Sequence, residues 1–206
     1  NYKSAELTKI AINMFLISSI SMTNYLSKIC EKSGANWFSI KKALQLDKRI
    51  GKNAYLDPGL GLSGGNLERD LRTLSTYSNK LKLNDNLLKS YYSISNQNKT
   101  WVQDLVKKIL IKNNFKLNIS LLGISYKENT NSLKNSPSIY FIKKISLLRK
   151  FKIFAFDPKI KKLSKHKNVN ICKSINELTK NCEILLVLTP WEVFKKINLR
   201  YSKNIK

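Results

Sequence analysis

Apolar side chains recur with a helical period over the first half of the chain. In residues 4–30 they return every three or four positions, which is the spacing of one face of a long helix. Gly34 is placed to end this helix and its short extension. The same period predicts three further helices over 37–46, 67–79 and 85–112. The sequence therefore predicts a helical region over residues 1–112.

The pattern changes after Lys116. Short apolar runs at 118–123, 152–156 and 183–188 are typical of buried strands. A helix is predicted over 136–149, and Pro137 suits its first turn. Strands that alternate with helices indicate a parallel α/β sheet, whose ligands lie beyond the carboxyl ends of the strands. The predicted fold class is thus α/β, with the helical region followed by a sheet domain over 113–206.

Composition narrows the function classes. The 206 residues carry a formal net charge of +25, which invites a nucleic-acid partner. The lysines are spread along the whole chain, without a zinc pattern or an RNA-binding aromatic motif, so no nucleic-acid role is expected. Three scattered cysteines predict neither a disulfide framework nor a metal site, and they suggest reduced thiols in the cytoplasm. No apolar run is expected to reach the roughly 18–20 residues of a membrane span. The missing initial Met suggests a fragment of a larger protein.

Residues 57–70 hold four of the chain's seven glycines: Gly59, Gly61, Gly64 and Gly65. Because glycine tolerates unusual backbone angles, this stretch is predicted to be a shaped loop. It runs into the helix over 67–79, with Asn66 placed as the N-cap. Such a loop presents free backbone N–H groups to an anion or a developing oxyanion. A plain turn before a surface helix is the alternative.

Three polar side chains are candidates for chemistry in the helical region. Lys9 and Asn13 are four residues apart and therefore share a helix face, although a solvated surface pair has the same spacing. Arg49 lies in the stretch Asp-Lys-Arg-Ile-Gly at 47–51, where its guanidinium suits a phosphate or a carboxylate. A surface ion pair explains Arg49 equally well.

Taken in order, the long helix, the 47–51 stretch and the glycine-rich loop resemble the UDP-glucose/GDP-mannose dehydrogenase family, which oxidises a nucleotide-sugar alcohol to a carboxylate with NAD. Three elements are similar to the family's UDP-binding domain: Leu-Gly-Ile-Ser-Tyr-Lys at 122–127, Thr-Asn-Ser-Leu-Lys-Asn-Ser-Pro at 130–137 and Thr-Pro-Trp-Glu-Val-Phe at 189–194. The resemblance implies a helical central domain that forms a homodimer or higher homo-oligomer, and a Rossmann-like UDP-binding domain that is cut short. The apolar residues of the helices at 4–30 and 85–112 are expected to form the dimer interface. The resemblance also implies work on polysaccharide precursors.

The resemblance further implies roles for single residues. Lys9 and Asn13 would stabilise the oxyanion that forms at the sugar carbon, and Asp70 would position or activate water. Arg49 would reach the substrate of the neighbouring subunit. The residues implied for binding the UDP- or GDP-linked sugar are Arg49, Tyr55, Gly59, Gly61, Gly64, Gly65, Tyr126 and Lys127. Those implied for binding NAD are Arg69 and Lys134.

The sequence departs from the family's pattern at the most demanding chemical step. Asn66 stands in the position of the family's nucleophilic cysteine, and an amide cannot form the thioester of the second oxidation. The lone Gly123 makes no dinucleotide fingerprint, and the family's amino-terminal NAD domain is missing from residues 1–206. The open alternatives are oxidation to the aldehyde only, an epimerase-like reaction, and a non-catalytic dimer that binds nucleotide sugars.

Overall fold

The protein is described here by a computed structural model of the 206-residue chain. It describes residues 1–114, 117–148, 152–163, 166, 169–180 and 182–197. The chain divides into two compact units. We call Asn1–Asn98 the helical unit and Lys99–Lys206 the sheet unit. The domain boundary that the sequence predicts after residue 112 stays a prediction.

The elements follow one another from helices to an alternating sheet. The helices are α1 (Tyr2–Ser33), α2 (Trp37–Leu46), α3 (Asn66–Lys80), α4 (Asn86–Lys112), α5 (Pro137–Ile145) and α6 (Ile175–Thr179). The strands are β1 (Ile119–Leu122), β2 (Ile153–Phe156), β3 (Val169–Ile171) and β4 (Ile184–Val187). Two short 3-10 turns occupy Ser146–Leu148 and Glu192–Lys196. The predicted α/β class is confirmed.

The ends of the helices follow from local chemistry. The Asn36 side chain accepts a hydrogen bond from the Ser39 N–H at 3.2 Å, which caps α2 just before its predicted first residue. Gly34 has φ of 78° and ends α1, because glycine adopts the left-handed conformation without a steric cost. The expectation that Asn66 caps α3 was wrong. Asn66 is the first helical residue, and Gly65, which has no side chain to offer, occupies the cap position.

The core of the helical unit lies where α1 packs against α3. Ile17, Leu62, Leu71 and Leu88 form its buried cluster. The remaining face of α1 is apolar but exposed, and it carries Ile12, Phe15, Met22, Tyr25 and Ile29. By length and composition α1 could cross a membrane, so the expectation that no segment would reach that limit was wrong. One such helix is weak evidence for a membrane span, and the absence of membrane contact stays a prediction.

The sheet unit is built on four parallel strands in the order β3-β2-β1-β4. Every residue of β1 is buried, as is usual for an inner strand of a parallel sheet, and the hydroxyl of its polar residue Ser120 donates to the Leu178 carbonyl at 3.3 Å. Ile119 is in register with Ile153 of β2 and with Ile184 of β4. The strands therefore end at one edge of the sheet, where Gly123 and Asp157 follow β1 and β2.

The cysteines are buried, whereas the described cationic side chains are not. The three cysteines are free and buried, and burial raises the pKa of the Cys172 and Cys182 thiols. Among the residues that the structure describes, no lysine or arginine is buried. The high positive charge is therefore a property of the surface and leaves the core apolar.

Candidate functional site

A polar cluster joins α1 and α3 in the helical unit. Asp70 lies in the second turn of α3 and is only 6% exposed. The amide Nδ2 of Asn13 donates to Asp70 Oδ2 at 2.6 Å, and Arg69 Nε donates to Asp70 Oδ1 at 3.0 Å. The fold thus brings Asn13 of α1 to the adjacent pair Arg69 and Asp70 of α3, although Asp70 lies 57 residues further along the chain.

Asp70 is held in its ionised form. Burial on its own raises the pKa of this carboxyl, but the hydrogen bonds from Arg69 and Asn13 and the charges of Arg69 and Lys9 outweigh it. The net result is a pKa below the ordinary value. Lys9 lies one turn before Asn13 on α1 and is exposed. The cluster is therefore a carboxylate with an amide donor and two cations around it, an arrangement suited to charge that develops on a substrate oxygen.

The glycine-rich loop is fixed by buried polar side chains from two helices. Asn24 of α1 accepts the Gly59 N–H at 2.7 Å, and Ser95 of α4 accepts the Leu62 N–H at 2.9 Å. Gly61 has φ of +83°, and a Cβ there would lie 2.5 Å from the Ser95 carbonyl oxygen. Only glycine fits such a close approach at positive φ. The loop is therefore shaped before any ligand arrives.

The two ends of the loop are held differently. The Tyr55 carbonyl accepts hydrogen bonds from the hydroxyls of Thr23 and Ser19 at 2.8 and 3.2 Å, while the Tyr55 side chain is exposed. At the other end, Gly64 is buried with φ of 76°. Gly65 then leads into α3 without a side-chain cap, and Asn66 is exposed. The uncapped first turn leaves backbone N–H groups for an external acceptor.

Arg49 pairs with Asp47 and not with the polar cluster of Asn13, Arg69 and Asp70. Its guanidinium pairs with Asp47, and its side chain is 88% exposed. This contact lowers the pKa of Asp47 and raises that of Arg49. The surface ion pair that the sequence left open is therefore present, and it does not exclude a ligand on the rest of the guanidinium.

A second shaped loop follows β1 in the sheet unit. Gly123 has φ of +86°, and a Cβ there would lie 2.5 Å from the Thr189 Cβ. The Thr189 hydroxyl donates to the Ser125 carbonyl at 2.6 Å, and the Ser138 hydroxyl donates to the Gly123 carbonyl at 2.7 Å. Residues 123–125 are thus clamped from β4's side by Thr189 and from α5 by Ser138.

Asp157 holds the same loop from the end of β2. Its Oδ2 accepts the N–H groups of Ile124 and Ser125 at 2.7 and 3.0 Å and the Ser125 hydroxyl at 3.0 Å. Its Oδ1 accepts the N–H groups of Lys159 and Ile160 at 2.8 and 3.1 Å. Asp157 is 1% exposed. Burial raises its pKa, but the backbone donors prevail and the pKa lies below the ordinary value.

Tyr126 and Lys127 come directly after the clamped residues. The Tyr126 N–H donates to the Ser132 carbonyl at 3.0 Å, and Lys127 Nζ lies 5.6 Å from the centroid of the Tyr126 ring. Lys127 and Lys134 are both exposed. An aromatic ring beside an exposed cation suits a base or a phosphate.

Sequence reasoning missed the residues that shape the two loops. The sequence did not predict roles for Asn24, Ser95 and Asp157. In the structure all three are buried polar residues whose side chains accept hydrogen bonds from backbone N–H groups. For Asp157 a clue existed, because an Asp-Pro pair directly after a predicted strand lies at the ligand edge of a parallel sheet. For Asn24 and Ser95 the partners lie more than thirty residues away, and no local pattern reveals them.

The two units have distinct architectures, a helical unit that shapes a glycine loop and a parallel sheet unit with a second shaped loop after β1. Residues 3–98 match the UDP-glucose/GDP-mannose dehydrogenase family, central domain, and residues 120–206 match its UDP binding domain. The chain belongs to the UDP-glucose/GDP-mannose dehydrogenase family.

Individual relatives agree with this assignment. The chain is 33% identical to a UDP-glucose 6-dehydrogenase of Rickettsia prowazekii over 100% of its own length and 48% of that protein. A UDP-glucose 6-dehydrogenase of Bacillus subtilis is 32% identical over 96% of the chain and 45% of the relative. The chain thus spans about half the length of the curated relatives it matches.

Solved structures show the same fold. A UDP-glucose dehydrogenase from Pyrobaculum islandicum superposes with a TM-score of 0.83 at 23% identity, over 98% of this chain and 48% of that one. A UDP-D-ManNAc dehydrogenase from Pyrococcus horikoshii gives a TM-score of 0.80 at 22% identity, over 98% and 46%. At such identities the likeness establishes the fold.

Proposed function

We propose that this chain supplies the nucleotide-sugar-binding and substrate-activating parts of an NAD-dependent dehydrogenase that acts on UDP-glucose, or on a related nucleotide sugar, to make polysaccharide precursors. The observation that carries the proposal is the cluster of Asn13, Asp70 and Arg69 in the same unit as the clamped glycine loop. Because the chain belongs to a family of nucleotide-sugar dehydrogenases, we interpret this cluster as the place where the sugar is oxidised. The free, buried cysteines agree with a cytoplasmic location.

In this proposal the reacting sugar carbon lies over the polar cluster. Lys9 and Asn13 donate to the substrate oxygen as negative charge develops on it, which lowers the barrier most in a water-poor site. Asp70 keeps the amide of Asn13 oriented through the 2.6 Å hydrogen bond. Because Asp70 is ionised, it positions a water by accepting a hydrogen bond from it.

NAD would accept the hydride from the sugar carbon. Arg69 of the helical unit and Lys134 of the sheet unit are both exposed cations, and each by itself suits a phosphate of NAD. Among the described residues of the sheet unit, the acid at the end of β2 is not free to bind a ribose. Asp157 lies at the end of β2, where dinucleotide-binding domains have an acid that binds the ribose. Both of its carboxylate oxygens already accept hydrogen bonds from backbone N–H groups and a hydroxyl. Arg69 and Lys134 are therefore proposed as partial contacts to NAD.

Each unit offers its own contacts to the nucleotide sugar. The backbone of Gly59, Gly61, Gly64 and Gly65 offers N–H groups and close approach, and Tyr55 offers an exposed ring. In the sheet unit, Tyr126 suits the base and Lys127 suits a phosphate. Arg49 would supply a further fork to the same ligand from a neighbouring subunit.

A homodimer through α1 belongs to the proposal. The exposed residues Ile12, Phe15, Met22, Tyr25 and Ile29 recur at helical spacing, and an apolar face of this length marks an interface. Sedimentation at tens of micromolar should detect a dimer. Phe15→Lys should dissociate it, whereas Leu147→Lys, which changes an equally exposed apolar residue of the sheet unit, should leave it intact. Wild-type protein that sediments only as a monomer would contradict the dimer.

Asn66 favours a second candidate function. An amide in place of the family's cysteine removes the covalent route of the second oxidation, so the reaction would stop at the aldehyde or proceed slowly through its hydrate. Asn66 is exposed at the start of α3, one turn before Asp70, and lies where a nucleophile would be expected. A measured yield near one NADH per sugar in a short assay of the complete protein would support this second candidate; two would support the full oxidation.

Binding tests the proposal independently of turnover. Calorimetric titration of the chain with UDP-glucose should show saturable binding that glucose does not give. Lys127→Ala should weaken it by about 1.5–3 kcal/mol, the scale of a charge-assisted hydrogen bond. Lys107→Ala, a change at another exposed lysine, serves as the control. Wild-type protein that binds UDP-glucose but never reduces NAD in its complete form would instead support a non-catalytic binding dimer.

A further inference from the structure

Asp47 carries two separate tasks in the short turn after α2. Its backbone carbonyl accepts the N–H groups of Ile50 and Gly51 at 3.0 and 2.8 Å. Its side chain accepts the backbone N–H of Arg49 at 2.9 Å, which is the bond of an Asx-turn. Gly51 closes the turn with φ of 80°. The backbone that carries Arg49 is thus set by Asp47.

The same carboxylate also holds the Arg49 side chain. Arg49 Nε donates to Asp47 Oδ1 at 3.0 Å, and Nη2 donates to Oδ2 at 2.6 Å. These two donors form the side edge of the guanidinium. Because a guanidinium has five N–H donors, three remain, and they lie on Nη1 and on the outer side of Nη2. The outer edge is therefore a second fork.

That outer fork is open. The Arg49 side chain is 88% exposed, while Asp47 is 32% exposed. Within the described ranges of the chain, Asp47 is the partner that the hydrogen bonds and ion pairs give to Arg49. An exposed ion pair of this kind contributes little to folding. Its geometry, two bonds on one edge and solvent on the other, suits the presentation of the free edge to an anion.

We infer that Asp47 is a positioning residue for Arg49, holding the side edge of the guanidinium so that the outer edge meets a phosphate of the nucleotide sugar. This inference rests on the proposed function, in which Arg49 contacts that ligand. The benefit is entropic, since the arginine side chain is ordered before binding and loses less freedom when the ligand arrives. Asp47 itself makes no contact with the ligand.

The test compares Asp47→Asn with Arg49→Gln in calorimetric titrations of the chain with UDP-glucose. Asp47→Asn keeps an oxygen for the Arg49 backbone N–H but turns the second acceptor into a donor, which breaks the fork. We expect the Kd to rise about 3- to 10-fold, the effect of ordering one long side chain. Asp47→Ser, whose hydroxyl also accepts a backbone N–H, should give the same rise, and it replaces the first variant if that one does not fold.

Two controls separate positioning from a general loss of structure. Glu192→Gln breaks another exposed carboxylate–cation pair, Glu192–Lys195 at 2.6 Å, and should leave the Kd unchanged. The double variant Asp47→Asn/Arg49→Gln should bind as Arg49→Gln alone does, because Asp47 acts only through Arg49. A structural role of Asp47 would make the two losses add.

The outcomes distinguish the inference from the function beneath it. If Arg49→Gln leaves the Kd unchanged, the proposed contact fails and the inference fails with it. If Arg49→Gln raises the Kd while Asp47→Asn leaves it unchanged or lowers it, Asp47 does not help Arg49 to bind the ligand. That outcome overturns the inference and leaves the proposed function intact. An additive double variant overturns it as well.

Discussion

Asp70 and Asp157 are both buried carboxylates with pKa values below the ordinary range, yet they differ in the donors that hold them. Asp70 is held by side chains, the amide of Asn13 and the guanidinium of Arg69. Asp157 is held mainly by backbone, through the N–H groups of four residues. One carboxylate belongs to the helical unit and the other to the sheet unit.

The kind of donor decides what each carboxylate can do. A side-chain donor such as Arg69 turns away at the cost of one rotamer, so a substrate or a water can take its place on Asp70. A backbone donor cannot leave without changing the course of the chain, so Asp157 is committed to the loop at 123–125. On this comparison we propose a chemical role for Asp70 and a structural role for Asp157.

The largest expected effect tests this difference through stability. Asp157→Asn should lower the free energy of unfolding by about 4 kcal/mol, because buried N–H groups lose an acceptor at about 1–3 kcal/mol each. Asp70→Asn should cost only about 1 kcal/mol, since Arg69 is largely exposed and can turn to water. Urea unfolding followed by circular dichroism measures both.

Activity should reverse the order. In the complete protein, Asp70→Asn should abolish most turnover, and Asp157→Asn should act mainly through the folded fraction. Equal losses of stability in the two variants would remove the distinction between side-chain and backbone donors.

A second effect concerns the glycine beside Asp157. Gly123→Ala should destabilise the protein by about 3 kcal/mol, the sum of positive φ at about 1–2 kcal/mol and of crowding against Thr189 at about 1–3 kcal/mol. Gly51→Ala is the matched variant, because Gly51 has φ of +80° and a Cβ there would meet nothing within 4 Å. It should cost about 1 kcal/mol, as thermal unfolding of both variants would show. Similar costs would mean that Thr189 yields to the new methyl group.

The smallest expected effect is the dependence of stability on pH. Unfolded aspartate has a pKa of about 3.9, and Asp157 titrates below that value when folded. Its contribution is therefore full above pH of about 4 and is lost as the pH falls through the folded pKa. The difference in unfolding free energy between wild type and Asp157→Asn should shrink as the pH falls from about 5 to about 2. A constant difference would show that Asp157 is not ionised in the folded protein.

Long periodic patterns and unbroken apolar runs predicted the elements that bury most surface. The bounds expected for α2 agree with Trp37–Leu46, and the apolar run at 118–123 contains the buried strand β1. The short elements β3 and α6 were missed, because three residues with an exposed Asn170, or five helical residues, offer too few positions for a period. The helix expected over 136–149 ends at Ile145 in a 3-10 turn.

For a related reason, the candidate site could be predicted only in part from the sequence. Lys9 and Asn13 share a helix face by spacing alone, but the hydrogen bond from Asn13 to Asp70 joins residues 57 positions apart. No pattern within one segment reports such a contact. The loop anchors Asn24, Ser95 and Asp157 act at distances of more than thirty residues, so the reasons why these loops keep their shape required the fold.

The placement of every described lysine and arginine at the surface has a consequence for kinetics. A chain with a net charge of +25 surrounds itself with a cloud of counter-anions, and a diphosphate ligand is drawn into that cloud from any direction. Capture should therefore be fast and should slow steeply as salt shortens the reach of the field, to about 8 Å at physiological ionic strength. Polyanions of unrelated origin are attracted in the same way at low salt, so the charge by itself gives no discrimination between ligands.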